Sequence, residues 1–251
     1  MKKITSILLF VLLISSSYAQ SAKVMNDPTH DDKPIHFGFS LGLNYMNYSV
    51  YQSEEALQGP YYVGIHTLKP GINIQAIANL RLAESWDLRS LPGISFGDRQ
   101  FEYIKKGVQG EGGTGDRYDS VMYDGEPYRM SSSFIEIPLL LKYKARRMNN
   151  FRPYLIGGAN VRYDLAVKKE YDYTEQLFMI KPLDVYLELG TGMDFYLTYF
   201  KLGVELKYSV GMTNVFTPTN NAGEGPKDNA VYSDILDKLK SQIITISFHF
   251  E

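Results

Sequence analysis

The sequence predicts an all-β chain: an eight-stranded, antiparallel, up-and-down transmembrane β-barrel. Three observations lead there. About eight stretches alternate strictly between apolar and polar residues, the period-two mark of a strand with one apolar face. After the first twenty residues no apolar run is long enough to cross a membrane as a helix, which takes roughly 20 residues. The connections between stretches alternate between short and long, as in outer-membrane barrels and unlike a Greek-key sandwich.

The elements follow in order. Strand one is expected over 36–49, with Phe37, Phe39, Leu41, Leu43 and Tyr45 on one face and His36, Gly38, Ser40, Gly42 and Asn44 on the other. Strand two spans 71–82, with Ile72, Ile74, Ala76, Ala78, Leu80 and Leu82 opposite Asn73, Gln75, Asn79 and Arg81. Strand three spans 86–103, its apolar face being Trp86, Leu88, Ile94 and Phe96, with a bulge or bend at Pro92-Gly93. Strand four is 133–144, strand five 152–166, strand six 183–197, strand seven 200–211 and strand eight 242–250, each with the same alternation. The short links are 83–85, a turn around 148–150, and 198–199; the long ones are 50–70, 104–132, 167–182 and 212–241. Both termini then lie on the short-turn, periplasmic side. Phe37, Trp86, Tyr143, Phe195, Phe200, Phe248 and Phe250 fall near that rim and read as an interfacial girdle.

The first nineteen residues read as an address. Lys2 and Lys3 precede an apolar run over 4–14, and Ser17-Tyr18-Ala19 places small residues at the cleavage positions of a secretory signal peptide. No Cys follows, so no lipoprotein anchor is expected. Residues 20–35 form a polar periplasmic leader and 36–251 the barrel domain, with no second domain or long repeat. The absence of Cys removes thiolate chemistry and Cys-based metal sites. The 20 Tyr, 13 Phe and 21 Gly suit barrel strands with aromatic belts. The formal net charge of −2 becomes −4 when Lys2 and Lys3 leave, which argues against a nucleic-acid partner.

A barrel of eight strands is filled by side chains. Its inward positions carry both signs of charge: Arg81, Glu136, Lys142, Arg162, Asp164, Glu188, Asp194 and Glu205, with Lys201 and Lys207. Buried charge must be paired, so a structural salt-bridge lumen is expected ahead of a proton or ion route. No catalytic, cofactor or metal site is expected. Ser247 and His249 share a face on strand eight, a Ser–His couple with no sequence mark of an orienting carboxylate or oxyanion hole. Asp31-Asp32 and Asp116 with Asp119 are acidic but lack calcium-loop spacing. The Gly-rich connection 104–132, with Tyr103 beside it and Tyr118, Tyr123 and Tyr128 within it, suits contact with a protein or sugar. An amphipathic helix over 231–240, with Ile235, Leu236 and Leu239 as its apolar face, is expected to cap the barrel mouth or dock a partner.

Over 134–166 the chain reads FIEIPLLLKYKARRMNNFRPYLIGGANVRYDLA, and over 183–214 LDVYLELGTGMDFYLTYFKLGVELKYSVGMTN. With PIHFGFSLGLN in strand one and LPGISFGDR in strand three, these resemble the PorT family of outer-membrane barrels, which serve type IX secretion and gliding motility. The resemblance rests on Glu136-Ile137-Pro138, Arg152-Pro153-Tyr154, Gly157-Gly158 and the run through Arg162, Tyr163 and Asp164. The strand pattern reads as a monomeric barrel in outer-membrane lipid, and the resemblance implies a non-enzymatic accessory to export of proteins with C-terminal sorting domains. It also implies partners within the type IX machinery. The alternatives are a generic barrel for adhesion or envelope integrity, and a barrel enzyme that modifies lipid or protein.

Overall fold

The computed structural model describes residues 25–28, 31, 33–53, 61–65, 69–106, 118–121, 128–167, 179–217 and 236–251. Thirteen strands occur among them: β1 (Ile35–Gln52), β2 (Tyr61–Ile65), β3 (Pro70–Arg81), β4 (Trp86–Ser90), β5 (Gly93–Lys106), β6 (Tyr118–Val121), β7 (Tyr128–Lys144), β8 (Phe151–Asp164), β9 (Met179–Ile180), β10 (Leu183–Tyr196), β11 (Lys201–Gly211), β12 (Phe216–Thr217) and β13 (Leu236–Phe250). The wall runs β1-β13-β11-β10-β8-β7, then β4 and β5 as one interrupted stave, then β3, and β3 pairs back with β1. Every pairing is antiparallel. This is a closed ring of eight staves, and closure leaves the wall no free edge.

Burial is inverted relative to a soluble protein. Phe37, Phe39, Leu41 and Leu43 of β1 are exposed, while Ser40 and Asn44 between them are buried. The same holds on β3, β7, β8 and β10. Apolar side chains that avoid the interior demand an apolar solvent, so the outward face is a lipid-facing belt. From Ile35 to Tyr45 that belt rises about 33 Å along the strand at ~3.3 Å per residue. At a tilt of ~40° this is about 25 Å along the barrel axis, the height of an outer-membrane apolar band. At the short-turn rim, Trp86 packs on Tyr143 with ring centroids 4.8 Å apart, and Phe250 stacks on Phe39 at 4.8 Å.

Beyond Tyr45 the pattern changes sign. On β1, Met46 and Tyr48 point inward and are buried, while Asn47 and Ser49 point outward. Opposite them on β13, Ile243 and Leu239 are buried, and Gln242 donates a hydrogen bond to Ser49 on the outer face. On β5 and β7 the outward residues are Asp98, Arg129 and Ser131, the carboxylate accepting from both of the others, while Phe101 and Phe134 are buried. Here the staves stand in water and bury their apolar side in the ordinary way. This raised wall belongs to β1, β13, β5 and β7; β2 and β6 extend it by pairing with β5.

Three expectations are corrected. At Pro92-Gly93 there is no bulge. Ser90 pairs with Leu139 and Gly93 with Glu136, so the ladder breaks at 91–92 without a register shift. Pro138 lies on the neighbouring stave at the same height, so two residues without N–H groups share one gap in the wall. Ser90 closes part of it by donating its hydroxyl to the Pro138 carbonyl at 2.8 Å. Second, residues 236–240 are not helical. They extend β13, because Leu239 buries itself opposite Val50 and the backbone pairs with β1; residues 231–235 lie outside the described residues. Third, the connection 104–132 contains strand: β5 continues to Lys106, β6 pairs with it, and β7 begins at Tyr128. Tyr123 lies outside the described residues.

The short turns occur at 82–85, 145–150 and 197–200. In the second, Met148 and Phe151 exchange backbone hydrogen bonds at 2.9 and 3.2 Å around Asn149, whose φ of 56° is a left-handed value that Asn tolerates.

Candidate functional site

The candidate site is the lumen, where period-two alternation points every second side chain of eight staves at one axis. Its charge is organised in tiers. Nearest the short-turn rim, Glu251 accepts from Arg89 at 2.6 Å and from Lys201 at 2.7 Å. Glu205 accepts from the Tyr154 hydroxyl at 2.9 Å and lies 3.7 Å from Arg89 and 3.4 Å from His249. Lys142 pairs with Asp194 at 2.6 Å and Lys144 with Asp87 at 2.6 Å.

The next tier is built on two carboxylates. Glu136 accepts from Arg162 at 2.7 Å, from Gln75 at 2.7 Å, from Asn160 at 3.0 Å and from Ser95. Glu188 accepts from Arg162 at 2.8 Å, from Lys207 at 2.9 Å, from Asn160 at 2.9 Å and from Ser209 at 2.9 Å. Arg162 thus ties Glu136 on β7 to Glu188 on β10, one donor group satisfying two desolvated charges.

Between the tiers sits an apolar layer of Ile77, Leu91, Leu140, Tyr154 and Ile156, supplied by β3, the β4–β5 stave, β7 and β8. The far side of this layer is glycine. A Cβ on Gly192 would stand 2.4 Å from the Tyr154 ring, so the missing side chain is what lets Tyr154 reach across to Glu205. Toward the long-connection rim, Arg99 stacks 4.2 Å above the Tyr48 ring and donates to its hydroxyl at 2.5 Å and to Ser132 at 3.0 Å. Asp164 accepts the Ser133 and Ala166 amides at 3.0 Å.

Glu136, Lys142, Arg162, Asp164, Glu188, Asp194 and Glu205 are therefore all buried lumen residues. Arg81 stands apart: it is half-buried at the short-turn rim and donates to the Asp31 carbonyl at 2.5 Å. Sequence reasoning passed over Arg89, Asp87 and Glu251. All three continue an alternation in plain view, Asp87 and Arg89 between Trp86, Leu88 and Ser90, and Glu251 two beyond His249. Ser247 and His249 are both buried, and the only described carboxylate against His249 is Glu205, which Tyr154 also engages. That arrangement holds charge inside a packed wall. Among the described residues no group of three His, Asp or Glu stands close enough to hold a metal ion. Asp31 is bound by Tyr196, Arg152 and Arg147; Asp32, Asp116, His30 and His66 lie outside the described residues.

The family match agrees with this architecture. The chain matches the family described as outer membrane protein beta-barrel domain over residues 18–217. No curated protein matches it. Among solved structures, Neisserial surface protein A is similar at 10% identity and a TM-score of 0.42, with 87% of this chain and 99% of that one covered. The outer membrane protein OprG from Pseudomonas aeruginosa is similar at 12% identity and a TM-score of 0.40, with 86% and 91% covered.

Proposed function

Because this chain belongs to the family of outer-membrane protein β-barrel domains, we propose that it is a non-enzymatic, monomeric barrel whose lumen is structural and whose rims and outer wall meet its partners. The observation that carries this is the lumen itself. Arg162 on β8 ties Glu136 on β7 to Glu188 on β10, Arg89 and Glu205 face each other across the ring at 3.7 Å, and the layer around Tyr154 fills the space below the Arg162 group. A solute crossing would have to break buried ion pairs, each costly to open once desolvated.

In this reading residues 1–19 are a cleaved signal peptide, 20–35 a periplasmic leader and 36–251 the barrel, with both termini and the short turns in the periplasm. The finer role is as an accessory of type IX secretion, touching other machinery proteins, and it is supported by the resemblance through Glu136-Ile137-Pro138 and Arg162-Tyr163-Asp164. The second reading is a generic small barrel for adhesion or envelope integrity. It is favoured by the fact that the shared motif already has architectural work: Glu136 and Arg162 pair, and a Cβ on Gly158 would fall 2.2 Å from the Leu139 carbonyl beside Pro138.

The deciding experiment is the secretome of a clean deletion strain with and without the restored gene. Accumulation of proteins with C-terminal sorting domains in the periplasm, relieved by the gene, is the expected result. Normal export would discard the secretion role and leave the second reading.

A further inference from the structure

The described residues before β1 are held to the barrel. Pro34 accepts the Arg81 amide at 2.8 Å, beside the start of β1. Asp31 then offers its carbonyl to the Arg81 guanidinium and its carboxylate to the Tyr196 hydroxyl at 2.8 and 3.0 Å. Arg152 stands 3.2 Å and Arg147 3.8 Å from the same carboxylate. Further back, Asn26 donates its amide to Asn150 at 2.9 Å and its side chain to the Tyr196 carbonyl at 3.0 Å. Arg147 closes the contact by donating to the Asn26 and Asp27 carbonyls while its guanidinium lies 3.5 Å from the Tyr196 ring centroid.

The partners lie on opposite sides of the ring. In the stave order, β8 is directly across from β1, and the 145–150 turn leads into β8. Asn26 at one end and Pro34 at the other are thus fastened to opposite sides of the short-turn mouth. The anchors are specific. Arg152 is itself fixed by bonds to the Ala145 and Glu84 carbonyls at 2.7 and 3.1 Å, so the carboxylate enters a prepared cationic seat.

We propose that the segment carrying Asn26 and Asp31 is a strap that shuts the short-turn mouth of the lumen, with Asp31 as its latch in the Arg147–Arg152–Tyr196 seat. The strap is held by polar contacts at the rim, and none of its described residues is an apolar anchor in the core. It can therefore open while the wall stays intact, exposing the Lys201–Glu251 and Lys144–Asp87 tier behind it.

The chain has no Cys, so a single introduced thiol is a clean reporter. His36 is buried in the lumen beside Asn79 on β3, one inward position nearer the short-turn rim than Gly38, which pairs with Ile77 of the Tyr154 layer. In full-length protein folded in detergent, His36→Cys is expected to react slowly with a charged methanethiosulfonate reagent. Adding Asp31→Ala and Asn26→Ala should raise that rate by about tenfold or more, the weight of one charged hydrogen bond. Deleting residues 25–31 should raise it at least as much. Heat-modified gel mobility and Trp86 fluorescence report whether the barrel remains folded in each case. A folded variant of either kind that reacts no faster than His36→Cys alone would overturn the proposal. If the double substitution fails to fold, the deletion decides. As a further check, Asn26→Cys with Asn150→Cys should cross-link on mild oxidation, and failure to do so would remove the strap from the mouth.

Discussion

Arg162 touches two carboxylates at once, and among the described residues neither has another arginine. Removing one member of a buried network leaves uncompensated charge, at a cost of about 3–5 kcal/mol. Arg162→Ala should therefore lower the urea midpoint sharply when unfolding is followed by Trp86, the single tryptophan, at the rim. Arg162→Met with Glu136→Gln and Glu188→Gln should recover part of the loss, since the charges leave together. Gly192 makes a second prediction. Its added Cβ would meet the Tyr154 ring at 2.4 Å, so Gly192→Ala should destabilise by about 1–3 kcal/mol. A double-mutant cycle with Tyr154→Leu should show strong coupling, and additivity would mean that the two do not compete for the same space. At this scale the lumen charges were readable wherever a strand's alternation was read on both faces. Arg89 and Asp87 escaped because strand three was read by its apolar face alone. Glu251 escaped because it was weighed as a tail after Phe250 and not as the next inward position after His249.

The staves were legible where they cross lipid. Strands expected at 71–82, 183–197 and 200–211 match β3, β10 and β11 to within one residue at each end. The ends misjudged by three residues or more are those of β1, β5, β7 and β13, all in the raised wall. There the inward face turns apolar and the outward face polar, so a stretch such as 236–243 places Leu236, Leu239 and Ile243 at spacings that also fit a helix. What settles strand over helix is pairing with β1, and pairing is not written in local periodicity. The connection above β13 gives a prediction of its own. Asn214 accepts from the Leu239 and Phe216 amides, both at 3.1 Å. Asn214→Ala should release amide-exchange protection at Leu239 and Phe216 while the exchange rates of β10 and β11 stay unchanged; uniform loss would mean that this contact supports the whole barrel. The strap is an element with a pH response. Burial works against ionisation of Asp31, but the Tyr196 hydroxyl and then the Arg152, Lys144 and Lys201 charges outweigh it and hold the carboxyl below its ordinary value of 3.8. A carboxyl lowered on binding contributes fully above its free value and loses that contribution as pH falls through the bound value. A nitroxide on Met25→Cys, at an exposed position, should therefore stay immobilised from pH 8 to about pH 5 and loosen only below about pH 4. Loosening between pH 7 and 5 would point to a histidine in place of Asp31.

For the whole molecule, a lumen crossed by ion pairs and sealed by a layer of packed side chains should not conduct. Purified protein in planar bilayers is expected to give no stable channel, and vesicles carrying it should not swell in arabinose. Regular open conductance would sink the structural reading of the lumen. The change of sign at Tyr45 has a separate consequence. It draws a waterline around the barrel, with Ile244 and Leu43 below it and Gln242 and Asn47 above. Sinking the barrel by one inward–outward repeat, about 6–7 Å along a strand, would push Gln242 and Asn47 into hydrocarbon. Lifting it by the same step would bring Ile244 into water. The protein therefore floats at one depth, and everything mounted on its two rims is presented to its surroundings at a fixed height above the bilayer.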